Sequence, residues 1–227
     1  WIGDNSPYAT RQVVLGRFVG FLLLGQVLGP ALGGTLAQFL GWREVFHVLA
    51  AVFLAVAAVV LIVDRRAASA PVQAASANVL RAYARILRDR WVRTVTLAVF
   101  VEGVCFFGVF AYAGAYLKTR FDLPYATVGV VLGCYGLGGL AYSLLVRRLR
   151  SVMGEGGFVR LSAAILAAGF AALPLLPAWQ AAIPLFVAIG FGLYLLHNTL
   201  QTKATEMAPE ARGMAVSVFA LSLFVGQ

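Results

Sequence analysis

Apolar residues fill this chain in stretches of about twenty, separated by short polar or basic pieces, and the stretches recur from end to end. They fall at residues 12–38, 45–63, 93–117, 126–146, 158–177 and 179–201, with a further one opening at 213 and running to 227. A helix needs about 20 predominantly apolar residues to cross a bilayer, so each stretch predicts a membrane-spanning helix. The longest polar piece lies between Val63 and Arg93. Its first part, Ala67–Ala77, is rich in Ala and Ser, contains Pro71 and reads as a linker. Its second part sets Val79, Tyr83, Ile86 and Leu87 on one helical face and Arg81, Arg85 and Arg88 on another. That pattern predicts an amphipathic helix on the cytoplasmic membrane surface, with Trp91 at the interface where the next span begins. The chain therefore divides into 1–63, a linker at 64–92, and 93–227.

Composition points the same way. Of 227 residues, 61% are hydrophobic and only 12% charged, and the mean hydropathy is +0.87. Soluble domains carry about 25% charged residues, so only lipid makes this balance sensible. The net charge of +9 is a topology signal. When the spans are threaded alternately across the membrane, one side receives Arg11, Arg17, Arg65, Arg66, Arg81, Arg85, Arg88, Arg90, Arg93, Arg147, Arg148, Arg150, Arg160, Lys203 and Arg212. The other receives only Arg43, Lys118 and Arg120, which makes the first side cytoplasmic. No basic stripe with interleaved aromatics accompanies the charge, so nucleic acid is not an expected partner. Cys105 and Cys134 sit inside apolar spans as small packing residues, with no metal or disulfide spacing. The sequence has no initiator Met and no signal peptide and stops inside an apolar stretch, the marks of a piece of a longer protein.

One stretch carries more information than the rest. Residues 16–34 read Gly16-x8-Gly25-x3-Gly29-Pro30-x2-Gly33-Gly34. Gly25, Gly29 and Gly33 recur every four residues and lie along one helical face, where a second helix can approach closely. Pro30 deletes a backbone hydrogen bond and is expected to bend the helix there. The two ends of the chain also match each other. Asp4-x2-Pro7-x3-Arg11 leads into a span with Gly25-Gln26, and Glu206-x2-Pro209-x2-Arg212 into one with Gly226-Gln227, both fourteen residues from Arg to Gly. Parallel repeats of about 200 residues produce such a match and are one way that secondary transporters are built.

On these residues the chain resembles the major facilitator superfamily, in its twelve-helix drug:proton antiporter branch. The Gly16–Gly34 run matches that branch's antiporter motif at every fixed position. Asp4, Pro7 and Arg11 before the fifth helix support the resemblance, as do Gly41-Trp42-Arg43 with Phe46 after it and Pro209, Arg212 and Gly213 before the eleventh. The resemblance implies an all-α membrane fold, a fragment of two six-helix bundles rocking around a central site. It also implies that the glycine run of the fifth helix packs on the eighth and seals the periplasmic side, with Gly129-x3-Gly133, Gly136, Gly138 and Gly139 as its partner. The family's loop motif Gly-x3-Asp-Arg-x-Gly-Arg-Arg has no counterpart of its Asp in Arg147–Glu155, which is expected to form the loop after the eighth span. The function implied is secondary active transport, specifically proton-coupled efflux of small amphipathic compounds. The alternative is sugar or metabolite transport on the same fold without proton antiport. The expected setting is a bacterial inner membrane, as a multi-pass monomer that handles a small molecule and protons and needs no cofactor.

Among acidic residues, Glu102 alone falls well inside an apolar span. It lies nine residues past Arg93, about 13 Å deeper at ~1.5 Å per residue. A charge there costs on the order of 2.5–3.5 kcal/mol on insertion scales, and a proton removes that cost, so Glu102 is a candidate proton-coupling carboxyl. The alternative is a neutral carboxyl bonded between helices. On the tenth span Tyr194, Asn198 and Gln201 share a face with His197 beside them, a set able to hydrogen-bond a substrate or simply to form the helix's polar end. Tyr112 and Tyr116 could stack on an aromatic or cationic substrate, or anchor the helix at the outer interface. His47 reads as an interfacial residue and Gln26 as a contact to a neighbouring helix. Enzyme chemistry finds no support: there is no His-Glu-x2-His, no Gly-x-Ser-x-Gly and no cysteine pair.

Overall fold

The computed structural model describes residues 8–64, 79–207 and 212–227, with side chains except at 8–20, 22, 23, 64, 79–82, 155 and 212. All regular structure among these residues is helical. Helix α1 runs Tyr8–Leu40, α2 Trp42–Asp64, α3 Val79–Ile86, α4 Arg90–Phe121, α5 Tyr125–Ala172, α6 Ala182–Glu206 and α7 Arg212–Gly226. Two short 3₁₀ turns, Leu173–Leu175 and Trp179–Ala181, join α5 to α6. Five segments are long and apolar enough to cross a membrane: Trp42–Val63, Arg90–Phe121, Tyr125–Gly154, Gly156–Leu175 and Trp179–Glu206. They coincide with predicted stretches, α1 covers the first of these, and the shorter apolar Gly213–Gly226 lies on the last.

The breaks between spans follow local chemistry. Gly41, at φ +91°, stops α1, and its N–H donates to the Ala37 carbonyl at 3.1 Å. Only glycine takes that left-handed angle without a Cβ penalty. Arg147–Met153, expected as loop, continues the α5 helix, because no helix breaker stands there. The turn falls instead at Gly154, at φ 61° and ψ −178°, the non-helical residue of α5. Asp89 starts α4: its Oδ1 accepts the N–H of Trp91 at 2.7 Å and of Val92 at 3.2 Å, an N-cap. Pro30 is carried inside an unbroken α1.

The described residues group into two compact units. One takes the chain up to Thr35 with Phe110–Thr199, and its core holds Leu117, Val131, Phe186, Ile189 and Leu195. Phe110 lies edge-on to Tyr135 at 5.0 Å and to Phe186 at 6.1 Å in this unit. The other takes Leu36–Val109 and Leu200–Gln227, with a core of Val92, Val95, Val99, Ala204, Met207, Ala215, Val218 and Phe219. Tyr83 and Ile86 of α3 pack on that second core, so the amphipathic helix lays part of its apolar face on protein and not on the bilayer surface alone. The expected division at 64–92 turns on residues 65–78, which lie outside the described residues.

Candidate functional site

Three arrangements stand out, each within one unit. The first is a seam between α1 and α5. A Cβ added at Gly129 would strike the Pro30 carbonyl oxygen and the Gly34 Cα. One at Gly34 would strike the Tyr125 carbonyl oxygen, and one at Gly133 would lie 2.6 Å from the Val27 carbonyl oxygen. At Gly136 it would lie 3.2 Å from the Val27 Cα. Backbone meets backbone along this line, which only glycine permits. The face of α1 that carries it is Val27, Pro30, Ala31 and Gly34. Gly25, Gly29 and Gly33 have no heavy atom within 4 Å of where a Cβ would stand. Pro30 and Gly34 of the glycine run thus meet the eighth-span glycines, while the every-fourth stripe looks away from them.

The α5 glycines serve two partners. Gly129, Gly133 and Gly136 face α1, but Gly138 and Gly139 face α6. At about 100° per residue, Gly138 lies opposite Gly129 on the helix. A Cβ at Gly138 would lie 2.7 Å from the Gly190 carbonyl carbon, and one at Gly139 would meet the Tyr194 ring at 2.5 Å. Tyr194 therefore occupies the space that Gly139 leaves on α5, its Oη buried with no hydrogen-bond partner among the described residues. One turn on, the Asn198 Nδ2 donates to the Tyr194 carbonyl at 2.8 Å. His197 and Asn198 are half-buried, whereas Gln201 is exposed and belongs to the other unit. Tyr112 is 78% exposed on α4.

The third arrangement surrounds Glu102, 5% exposed on α4. In its first half the buried side chains of this helix fall at Val92, Val95, Val99, Glu102 and Phe106, a spacing of three and four that marks one face. Glu102 occupies a core slot of that stripe. The next residue, Gly103, is a close-approach point: a Cβ there would lie 2.6 Å from the Leu223 carbonyl oxygen and 3.2 Å from the Gly226 Cα of α7. Sequence reading found Glu102 but missed this seam, whose signal is the pairing of two isolated glycines on different helices. The buried polar residues of the described chain are Glu102, Ser162 and Thr199; Ser162 donates to the Val159 carbonyl and Thr199 to the Leu195 carbonyl.

The remaining candidates divide simply. His47 pairs with Glu44 at 2.9 Å on the exposed start of α2. Asp4 lies outside the described residues, and Arg11, Gly16 and Arg212 lie in helices at positions whose side chains are not described. No group of three or more His, Cys, Asp or Glu able to hold a metal occurs among the described residues.

The family profile of the Major Facilitator Superfamily matches residues 1–227. "Citrate exporter 1" of Aspergillus niger is 42% identical over 48 residues, which are 21% of this chain and 9% of that protein. A sequence of the same name from a strain of that species matches to the same extent. No solved structure matches.

Proposed function

This chain belongs to the Major Facilitator Superfamily, and from that premise we propose that it serves proton-coupled efflux of small amphipathic compounds. Glu102 carries the proton. The observation behind this reading is the position of that carboxyl in the buried stripe of a membrane-spanning helix, where a charge is costly and a proton removes the cost. Tyr194, His197, Asn198, Gln201 and Tyr112 are the side chains we put forward for the substrate, and the α1–α5 seam is the element that closes one side of the path. The setting is the inner membrane of a bacterial cell, with the arginine-rich ends inward.

A second reading is export of an organic acid, favoured by the short likeness to a protein named as a citrate exporter. Against it, no Lys or Arg is buried among the described residues, so nothing there offsets a buried multiple anion.

The test uses everted vesicles with an imposed proton gradient and a pH-sensitive dye. Cationic drugs, sugars, metabolites and citrate are added one at a time to the protein and to its Glu102→Gln form. The expected result is collapse of the gradient by amphipathic cations, absent in Glu102→Gln. Collapse by citrate alone would select the second reading, and collapse that survives the substitution would remove Glu102 from the proton path.

A further inference from the structure

The junction of α3 and α4 concentrates charge that no carboxylate among the described residues neutralises. Arg85, Arg88, Arg90 and Arg93 are all exposed, and no carboxylate among the described residues pairs with them. Asp89 stands in their midst, but its Oδ1 is engaged by the backbone N–H groups of Trp91 and Val92. The backbone that carries them is ordered by its own hydrogen bonds. Leu87 N–H donates to the Tyr83 carbonyl at 3.0 Å, Arg88 N–H to the Arg85 carbonyl at 3.2 Å and Asp89 N–H to the Ile86 carbonyl at 3.1 Å, so α3 passes into α4 without slack.

An amphipathic helix that is free on a membrane turns its apolar side into the lipid. Here Tyr83 and Ile86 are committed to the core built by α4, α6 and α7. Arg85 lies on the other side of the helix from them by helical spacing, and Arg88 follows in the turn after its end. Arg90 and Arg93 fall in the first turn of a membrane-spanning helix beside Trp91, which is 50% exposed and of the type that settles at the headgroup level. Guanidinium groups at that depth meet phosphate, which they bind in a planar, two-pronged fashion.

We propose that the α3–α4 corner is a docking surface for anionic phospholipid headgroups of the leaflet it meets. Each arginine near a charged leaflet contributes about fivefold to the association. This inference rests on the membrane-spanning fold and stands apart from any reading of the transported compound.

Trp91 reports on the site directly. A form keeping Trp91 and carrying Phe at positions 1, 42 and 179 is reconstituted in phosphatidylcholine vesicles containing brominated phosphatidylglycerol or, separately, brominated phosphatidylcholine at the same fraction. The expected result is stronger quenching of Trp91 by the brominated phosphatidylglycerol, weakened by added salt. Arg85→Gln/Arg88→Gln reduces the preference by roughly an order of magnitude or more, two such contributions. Arg85→Lys/Arg88→Lys retains most of it, which separates charge from a folding defect. Equal quenching by both lipids in the protein with its arginines intact would overturn the proposal. So would a preference that persists after Gln replaces all four arginines, and a partner of another class, such as an acidic protein segment, would then be the one to seek.

Discussion

At the residue scale, one methyl group distinguishes the two sides of the glycine run. Gly129→Ala drives a Cβ into the Pro30 carbonyl oxygen and the Gly34 Cα, so backbone must shift to admit it. Such overpacking costs about 1–3 kcal/mol, so the unfolding temperature in detergent should fall clearly. Gly29→Ala meets nothing within 4 Å and should stay within about 0.5 kcal/mol of the parent. Equal losses for the two would mean that the every-fourth stripe, and not the Pro30–Gly34 face, makes the contact. Asp89→Ala removes a cap with two backbone partners and should lower stability by about 0.5–2 kcal/mol, with Asp89→Asn losing much less. The cap escaped sequence reading because Asp89 sits among arginines and reads as one more charge in a polar run. Glu102 did not escape, since a carboxyl inside an apolar stretch is conspicuous whatever surrounds it.

Elements were legible where composition alone decides them. The apolar stretches stand out because a bilayer tolerates no long polar interruption, and the helices begin and end within a few residues of most of them, the one opening at Tyr125 running on to Gly154. What the sequence hid was direction. The glycines of α5 read as one surface for one partner, yet α1 takes Gly129, Gly133 and Gly136 while α6 takes Gly138 and Gly139. Helical spacing distinguishes these sets, but no sequence feature says which neighbour waits on each side. The stretch from Arg147 misled for a different reason: charge suggested loop, although arginine is a good helix former and the break waits for Gly154. At the α5–α6 seam, Tyr194→Phe provides a test of packing against binding. Its hydroxyl has no partner among the described residues, so its loss should leave the unfolding temperature unchanged. If Tyr194 serves the substrate as proposed, KM rises roughly two- to tenfold, the worth of one hydrogen bond. An unchanged KM would reduce the residue to filling the notch at Gly139.

For the whole molecule, orientation is the property on which the charge pattern makes the most direct prediction. Connections between consecutive spans are short: Gly41 between α1 and α2, a turn at Asp122–Pro124 between α4 and α5, and the bend at Gly154. Threading the spans alternately across a membrane places fifteen of the eighteen basic residues on one side, which is the expectation the charge pattern sets. Family membership follows from features spread along the chain, whereas the substrate rests on a few side chains whose types recur in many transporters. The orientation is therefore the sharper prediction. With Cys105 and Cys134 replaced by Ser, a cysteine at exposed Asp122 should react with a membrane-impermeant maleimide in intact cells. A cysteine at exposed Arg148 should react only after the membrane is opened. The reverse pattern would turn the arginine-rich ends outward against their electrostatic preference and move the α3–α4 corner to the other leaflet. Efflux would then have to be argued from transport measurements alone, since the side on which each seam lies would no longer support it.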